Sequence, residues 1–142
     1  MTDPKIATSD EEIAACFDVI AELRKHLERD AFLPMVRGMQ AEGYRLAYVE
    51  DRGAIVAAAG YRILTTLFMG KNLYVDDLVT SASRRSKGYG KVLIDWLRDL
   101  AVEENCTHLH LDSGTQRDRA HRFYFNQGME IASFHFSQRL SG

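Results

Sequence analysis

The sequence predicts an α/β fold in one domain, residues 1–142, and three observations predict it. The N-terminal segment is acidic and helix-forming, two strand-like runs flank the turn Asp51-Arg52-Gly53, and the remainder reads as β-α-β-α-β. Ser9-Asp10-Glu11-Glu12 has the form of a capping box, and Ile13, Phe17 and Ile20 follow at helical spacing, which predicts a helix over 10–28. A second helix is expected over 31–41, because Pro34 suits a first turn and Gly43 an exit. Residues 44–50 and 54–64 make a hairpin, and 73–80 is a further strand. Val92, Leu93, Trp96, Leu97 and Leu100 form a helical stripe. Residues 106–112 alternate, with Leu109 and Leu111 on one face and His108, His110 and Asp112 on the other. A helix over 116–127 stops at Gly128, and a closing strand is expected over 129–138.

Composition removes several function classes. With 18 Lys+Arg against 20 Asp+Glu the formal charge is only −2, so no global field favours nucleic acid or an anionic membrane. A nucleic-acid binder using Arg84, Arg85, Lys87 and Lys91 would need a wider basic face. Cys16 and Cys106 lack metal or C-x-x-C spacing and read as reduced core thiols. The start is polar and acidic, and no apolar run approaches the ~18 residues of a membrane helix, so a cytoplasmic protein is expected. His108, His110, His121 and His135 lack a third ligand at metal-site spacing, and no metal is expected.

The chemistry concentrates after the strand 73–80, where Arg84-Arg85-Ser86-Lys87-Gly88-Tyr89-Gly90-Lys91 opens the striped helix. Glycines there allow close approach to a ligand, a helix N-terminus presents N–H groups, and cationic side chains add charge. Together they make an anion cradle suited to a pyrophosphate. Val92 after Lys91 rules out a Walker loop, and Leu93 removes the third glycine of a dinucleotide fingerprint. What remains is R-x-x-G-x-G, Arg85 to Gly90.

Three segments in order resemble the GNAT superfamily of acyl-CoA-dependent N-acyltransferases: Asp77-Leu78-Val79-Thr80, the 85–90 loop, and Ala120-His121-Arg122-Phe123-Tyr124 ending at Gly128-Met129. The resemblance covers almost the whole chain. It implies a mixed, mostly antiparallel central sheet, flanked by about four helices and splayed between its fourth and fifth strands, 73–80 and 106–112. It further implies acetyl-CoA as co-substrate. The pyrophosphate would lie on Arg85, Ser86, Lys87, Gly88, Tyr89 and Gly90, and the pantetheine arm would run along main-chain groups of Val79 and Thr80. Ser86 stands where glycine is commonest, and Arg117 where many members carry an Asn that contacts the cofactor.

Acyl transfer from a thioester expels a thiolate, whose conjugate acid has a pKa of ~8.5 and can recover a proton from a phenol of pKa ~10. Tyr124 matches the position where similar members keep such a tyrosine, while Phe123 beside it reads as packing. A base must take the amine's proton, and Asp77 is the chosen candidate, with Asp76 and Asp112 behind it. Simple alternation places Asp76 and Asp77 on opposite faces. An N–H near Val79 would meet the oxyanion. These roles describe direct attack of a primary amine on acetyl-CoA in a ternary complex. The rival is a non-catalytic acyl-CoA-binding module of the same fold. The acceptor is left open, His135 is a candidate for lining its pocket, and a C-terminal strand with Phe134 and Phe136 could help build a homodimer.

Overall fold

The structure is a computed structural model that describes residues 3–85 and 87–142; Ser86, expected in the anion cradle, lies outside the described residues. It divides into two compact units, Met1–Leu111 and Asp112–Gly142. The first unit contains a five-stranded sheet in the order β1-β2-β3-β4-β5. Its strands are β1 Lys5–Ile6, β2 Arg45–Asp51, β3 Ala54–Thr66, β4 Gly70–Thr80 and β5 His108–Leu111. Pairing is antiparallel through β4, and β5 joins β4 in parallel. The two-residue strand β1 is too short and polar to stand out in the sequence, and its presence makes β4 the fourth strand.

One face of the sheet packs against α1 Asp10–Ala15, α2 Phe17–Leu23 and α3 Arg29–Gln40, burying Ile13, Phe17, Ile20, Phe32, Val36 and Leu46. The expected helix over 10–28 is therefore two helices. At Cys16 the N–H reaches Ile13 C=O at 3.0 Å, an i→i−3 bond that tightens the turn, and at Arg24 the backbone leaves the helix with φ −111° and ψ 75°. Pro34 falls inside α3 rather than in its first turn. The other face packs against α4 Tyr89–Glu103 through Leu93, Leu97 and Ala101, with Trp96 edge-on to Tyr61 at 5.8 Å. Leu109 and Leu111 of β5 join that cluster, as their alternation predicts.

In the second unit α5 spans Asp118–Asn126, and Gly128 follows with φ 82°, the left-handed exit that favours glycine. The closing strand expected over 129–138 is not formed, and Phe134 and Phe136 are exposed. Alternating apolar residues supply propensity, whereas a strand also needs a ladder partner for its backbone groups. Among the described residues no helix is long and apolar enough to cross a membrane.

The capping box forms as the sequence predicts: Ser9 Oγ accepts from Glu12 N–H at 3.1 Å, and Glu12 Oε1 accepts from Ser9 N–H at 3.0 Å. Tyr48 donates to Glu12 Oε2 at 2.8 Å, tying α1 to β2. These donors, the Ser9 N–H first, pull the Glu12 carboxyl from 4.5 down to about 2. A depressed carboxyl stabilises the fold above its unfolded value, and that contribution disappears as pH falls through the folded value. Melting temperatures of the parent and Glu12→Gln should therefore differ most above pH 4.5 and converge as pH approaches about 2. A gap that stays constant across this range would contradict the assignment.

Candidate active site

Gly88 caps α4 with φ 85° and ψ 9° and provides no side-chain cap. The first bond of the helix runs from Val92 N–H to Gly88 C=O at 3.1 Å, so the N–H groups of residues 89–91 precede the intrahelical ladder. Arg85 and Lys87 are exposed beside this end. Left-handed backbone, outward N–H groups and two cations fit an anionic group such as a pyrophosphate.

The loop is fastened to the sheet by side-chain contacts that the sequence did not reveal. Tyr89 is buried and donates its hydroxyl to Asp51 Oδ2 at 2.6 Å, while Arg84 lies 3.8 Å from the same oxygen. The hydrogen bond to Tyr89 is the main influence holding the Asp51 carboxyl below its ordinary value. On the approach to the loop, Glu22 of α2 accepts from Ala82 N–H at 2.8 Å. Tyr89 thus anchors the cradle through its side chain, which leaves its main chain for any ligand contact. Lys91 pairs instead with Asp95 at 2.6 Å.

In β4 the pairing jumps from Tyr61↔Val75 to Gly60↔Asp77, leaving Asp76 as the extra residue of a bulge. That single residue overturns the alternation argument. Before it, Leu73 and Val75 face the α4 cluster; after it, Leu78 faces that cluster and Val79 the α1–α3 cluster. Asp76 and Asp77 consequently sit in one network on the α1–α3 face rather than on opposite faces. Arg62 Nε donates to Asp76 Oδ2 at 3.0 Å and to Oδ1 at 3.2 Å. Arg24 Nε donates to Asp77 Oδ1 at 2.9 Å, and Arg24 Nη2 donates to the Asp76 carbonyl at 2.8 Å. Tyr44 donates to Asp77 Oδ2 at 2.9 Å, under an Arg62 guanidinium 5.6 Å from its ring centre. Burial raises the Asp76 carboxyl above its ordinary value, opposed by Arg62, and burial together with Asp77 keeps the Tyr44 phenol protonated.

The parallel ladder between β4 and β5 ends at Val75↔Leu111, so residues 77–80 pair with β3 alone. This is the opening between fourth and fifth strands that the family resemblance implies. Val79 and Thr80 lie on it, both half-buried.

Tyr124 belongs to the second unit. Burial raises its phenol above the ordinary value of 10, opposed by the charge of Arg117 and a hydrogen bond with it. Phe123 packs edge-on against it at 5.5 Å. Asp112 lies 3.6 Å from His135. His121 contacts Gly114 C=O at 2.7 Å, and His110 contacts the fully buried Asn72 at 2.8 Å. Among the described residues no group of three or more His, Cys, Asp or Glu side chains could hold a metal. Cys16 is buried, which pushes its thiol up to about 12, and Cys106 is half-buried without a disulfide.

With this geometry in place, comparison with known proteins is direct. The acetyltransferase (GNAT) family matches residues 10–129. The chain is 38% identical over 138 residues to YhdJ of Bacillus subtilis (strain 168), an uncharacterised N-acetyltransferase, covering 96% of this chain and 97% of that protein. The fold is shared with glucosamine-6-phosphate N-acetyltransferase from Arabidopsis thaliana at TM-score 0.77 and 20% identity, over 99% of this chain and 100% of that one. It is shared with AAC(6')-Iy, solved with the bisubstrate analogue CoA-S-monomethyl-acetylneamine, at TM-score 0.82 and 14% identity, over 99% and 98% of the two chains. The chain belongs to the GNAT family and is an acetyltransferase.

Gly60 is the floor of the Tyr44–Asp77 contact. A Cβ there would lie 1.9 Å from the Tyr44 hydroxyl oxygen and 2.4 Å from its Cζ, inside any allowed contact. Gly60→Ala must push Tyr44 off Asp77, and overpacking of this kind costs about 1–3 kcal/mol. Urea unfolding should show that loss; in Gly60→Ala/Tyr44→Ala, where the obstructing ring is gone, adding the methyl should cost almost nothing beyond Tyr44→Ala itself. Equal costs in the two backgrounds would refute the contact.

Proposed function

We propose that this chain transfers the acetyl group of acetyl-CoA to a primary amine by direct attack in a ternary complex, with residues 1–142 acting as one acetyltransferase domain. Acetyl-CoA supplies an activated thioester. The uncapped, left-handed start of α4 is the single observation that most supports the cofactor's place, with Arg85, Lys87 and the N–H groups of Gly88, Tyr89 and Gly90 holding the pyrophosphate. Ser86 belongs to the same loop by sequence. Main-chain groups of Val79 and Thr80, on the part of β4 that β5 does not cover, hold the pantetheine arm.

Asp77 accepts a proton from the attacking nitrogen: the N–H bond breaks, an O–H bond forms on the carboxylate, and the nitrogen lone pair makes the new C–N bond. A main-chain N–H near Val79 faces the carbonyl oxygen as it gains charge. Tyr124 donates its phenolic proton to the departing sulfur as the C–S bond breaks, giving free thiol and an acetamide, and exchange with solvent restores both side chains. Support for a nitrogen acceptor comes from the N-acetyltransferase names of YhdJ and the Arabidopsis enzyme. The raised Tyr124 phenol supports its role, since a general acid must still carry its proton at working pH.

Tyr124→Phe should keep acetyl-CoA affinity and lose about 100-fold or more in turnover, measured as thiol release with an accepted amine. A rate within a few-fold of the parent would return Tyr124 to packing alone. The same phenol predicts that parental turnover holds its plateau beyond pH 10 before falling; a decline complete well below that value would exclude it as the acid. Gly88→Val places a β-branched residue in left-handed backbone, a conformation costing about 1–2 kcal/mol. Calorimetry of the folded variant should show acetyl-CoA binding weakened at least tenfold, and unchanged affinity would remove the pyrophosphate from this loop.

A further inference from the structure

Asp77 is held by two donors of very different standing. Tyr44 reaches Oδ2 from a ring that is 3% exposed, set between Gly60 and the Arg62 guanidinium, so it cannot leave without opening the core. Arg24 reaches Oδ1 from a side chain that is 44% exposed. Its backbone has already left α2, at the head of the connection to α3, and its guanidinium borders solvent, held by its bonds to Asp77 and the Asp76 carbonyl. Asp76 on β4, Arg62 on β3 and the buried thiol of Cys16 between α1 and α2 are further titratable or charged groups acting on this network. Asp77 is only 13% exposed and Tyr44 covers Oδ2 from the core, so the place that Arg24 holds at Oδ1 is the solvent-side approach to the carboxylate.

We propose that Arg24 is a specificity-determining residue: it occupies the acceptor's position on Asp77 Oδ1, and a cationic amine able to replace a guanidinium there gains the carboxylate ahead of a neutral acceptor. This rests on the reading of Asp77 as the proton acceptor. Arg24 Nη2 also holds the Asp76 carbonyl at the bulge, so displacement frees one carboxylate oxygen and one main-chain acceptor side by side. An alkylammonium offers N–H donors to both, which a neutral amide or alcohol cannot match in charge. An exposed ion pair is weak, so the occupant imposes selection without blocking the site.

The test uses n-butylammonium chloride against sodium chloride at equal ionic strength, read at the backbone amide signal of Gly60, the residue paired with Asp77. Arg24→Gln should tighten butylammonium binding roughly two- to five-fold, the range expected when an exposed pair no longer competes. Arg24→Lys should return it towards the parental value, and Asp77→Asn in the Arg24→Gln background should abolish it. Equal affinity in parent and Arg24→Gln overturns the proposal, as does tightening that survives Asp77→Asn, or no response beyond sodium in either protein. Turnover separates this from the reading beneath it. If Asp77→Asn loses turnover while butylammonium affinity ignores Arg24, the base stands and the Arg24 role falls. If Arg24→Gln tightens binding while Asp77→Asn keeps parental turnover, Arg24 guards a cation position and the base reading falls.

Discussion

Where Tyr61 pairs with Val75 and Gly60 with Asp77, β4 carries one residue more than β3, and the chemistry of the first unit depends on that mismatch. Without it, Asp77 would follow Leu73 and Val75 onto the apolar face covered by α4, where a carboxylate finds no donors and burial is costly. With it, Asp77 turns towards Tyr44 and Arg24, and Asp76 towards Arg62. Both carboxylates are then solvated by fixed donors in place of water. The bulge also sits directly after the last β4–β5 pair, Val75↔Leu111, so the sheet opens where the polar network begins.

The same region illustrates how a strained or permissive backbone is held by ordinary contacts elsewhere. Gly88 takes left-handed angles that few residues tolerate, and the neighbouring Tyr89 pins them by burying its ring and bonding Asp51 at the end of β2. Glu22 holds the main chain at Ala82, so the end of α2 contributes a fastening for the loop and the residue just past it, Arg24, contributes the guanidinium on Asp77. A shift of the α2 end would therefore touch the cradle and the acidic pair together.

Local signals in the sequence carried far. The Ser9–Glu12 capping box, the α4 stripe, the Arg52-Gly53 turn and the glycine start of α4 at Gly88 each depend on residues close in the chain, and each is found where local chemistry puts it. Features requiring distant partners were harder to see. Alternation assumes a regular ladder, so it placed Asp76 and Asp77 on opposite faces and could not register a bulge imposed by β3. Tyr44 gave no local sign of its role because its partner lies 33 positions away. Gly60, a lone glycine inside a strand, was the available clue that another group approaches the backbone there. Residues 129–138 alternate as a strand would, but alternation does not supply the ladder. Tyr124 and Asp77 stood out in the sequence as chemical types, whereas the donors around Asp77 emerged only from the fold.

The proposed mechanism turns on whether Asp77 or Asp76 takes the amine's proton. Asp76 is locked by two bonds from Arg62, while Asp77 holds one donor that solvent can reach. Single-turnover acetyl transfer at saturating acetyl-CoA, compared between Asp77→Asn and Asp76→Asn with both proteins shown to be folded, separates them. The account predicts a loss of about 100-fold or more for Asp77→Asn and a rate within a few-fold of the parent for Asp76→Asn. The reverse order, or parental rates in both, would contradict it.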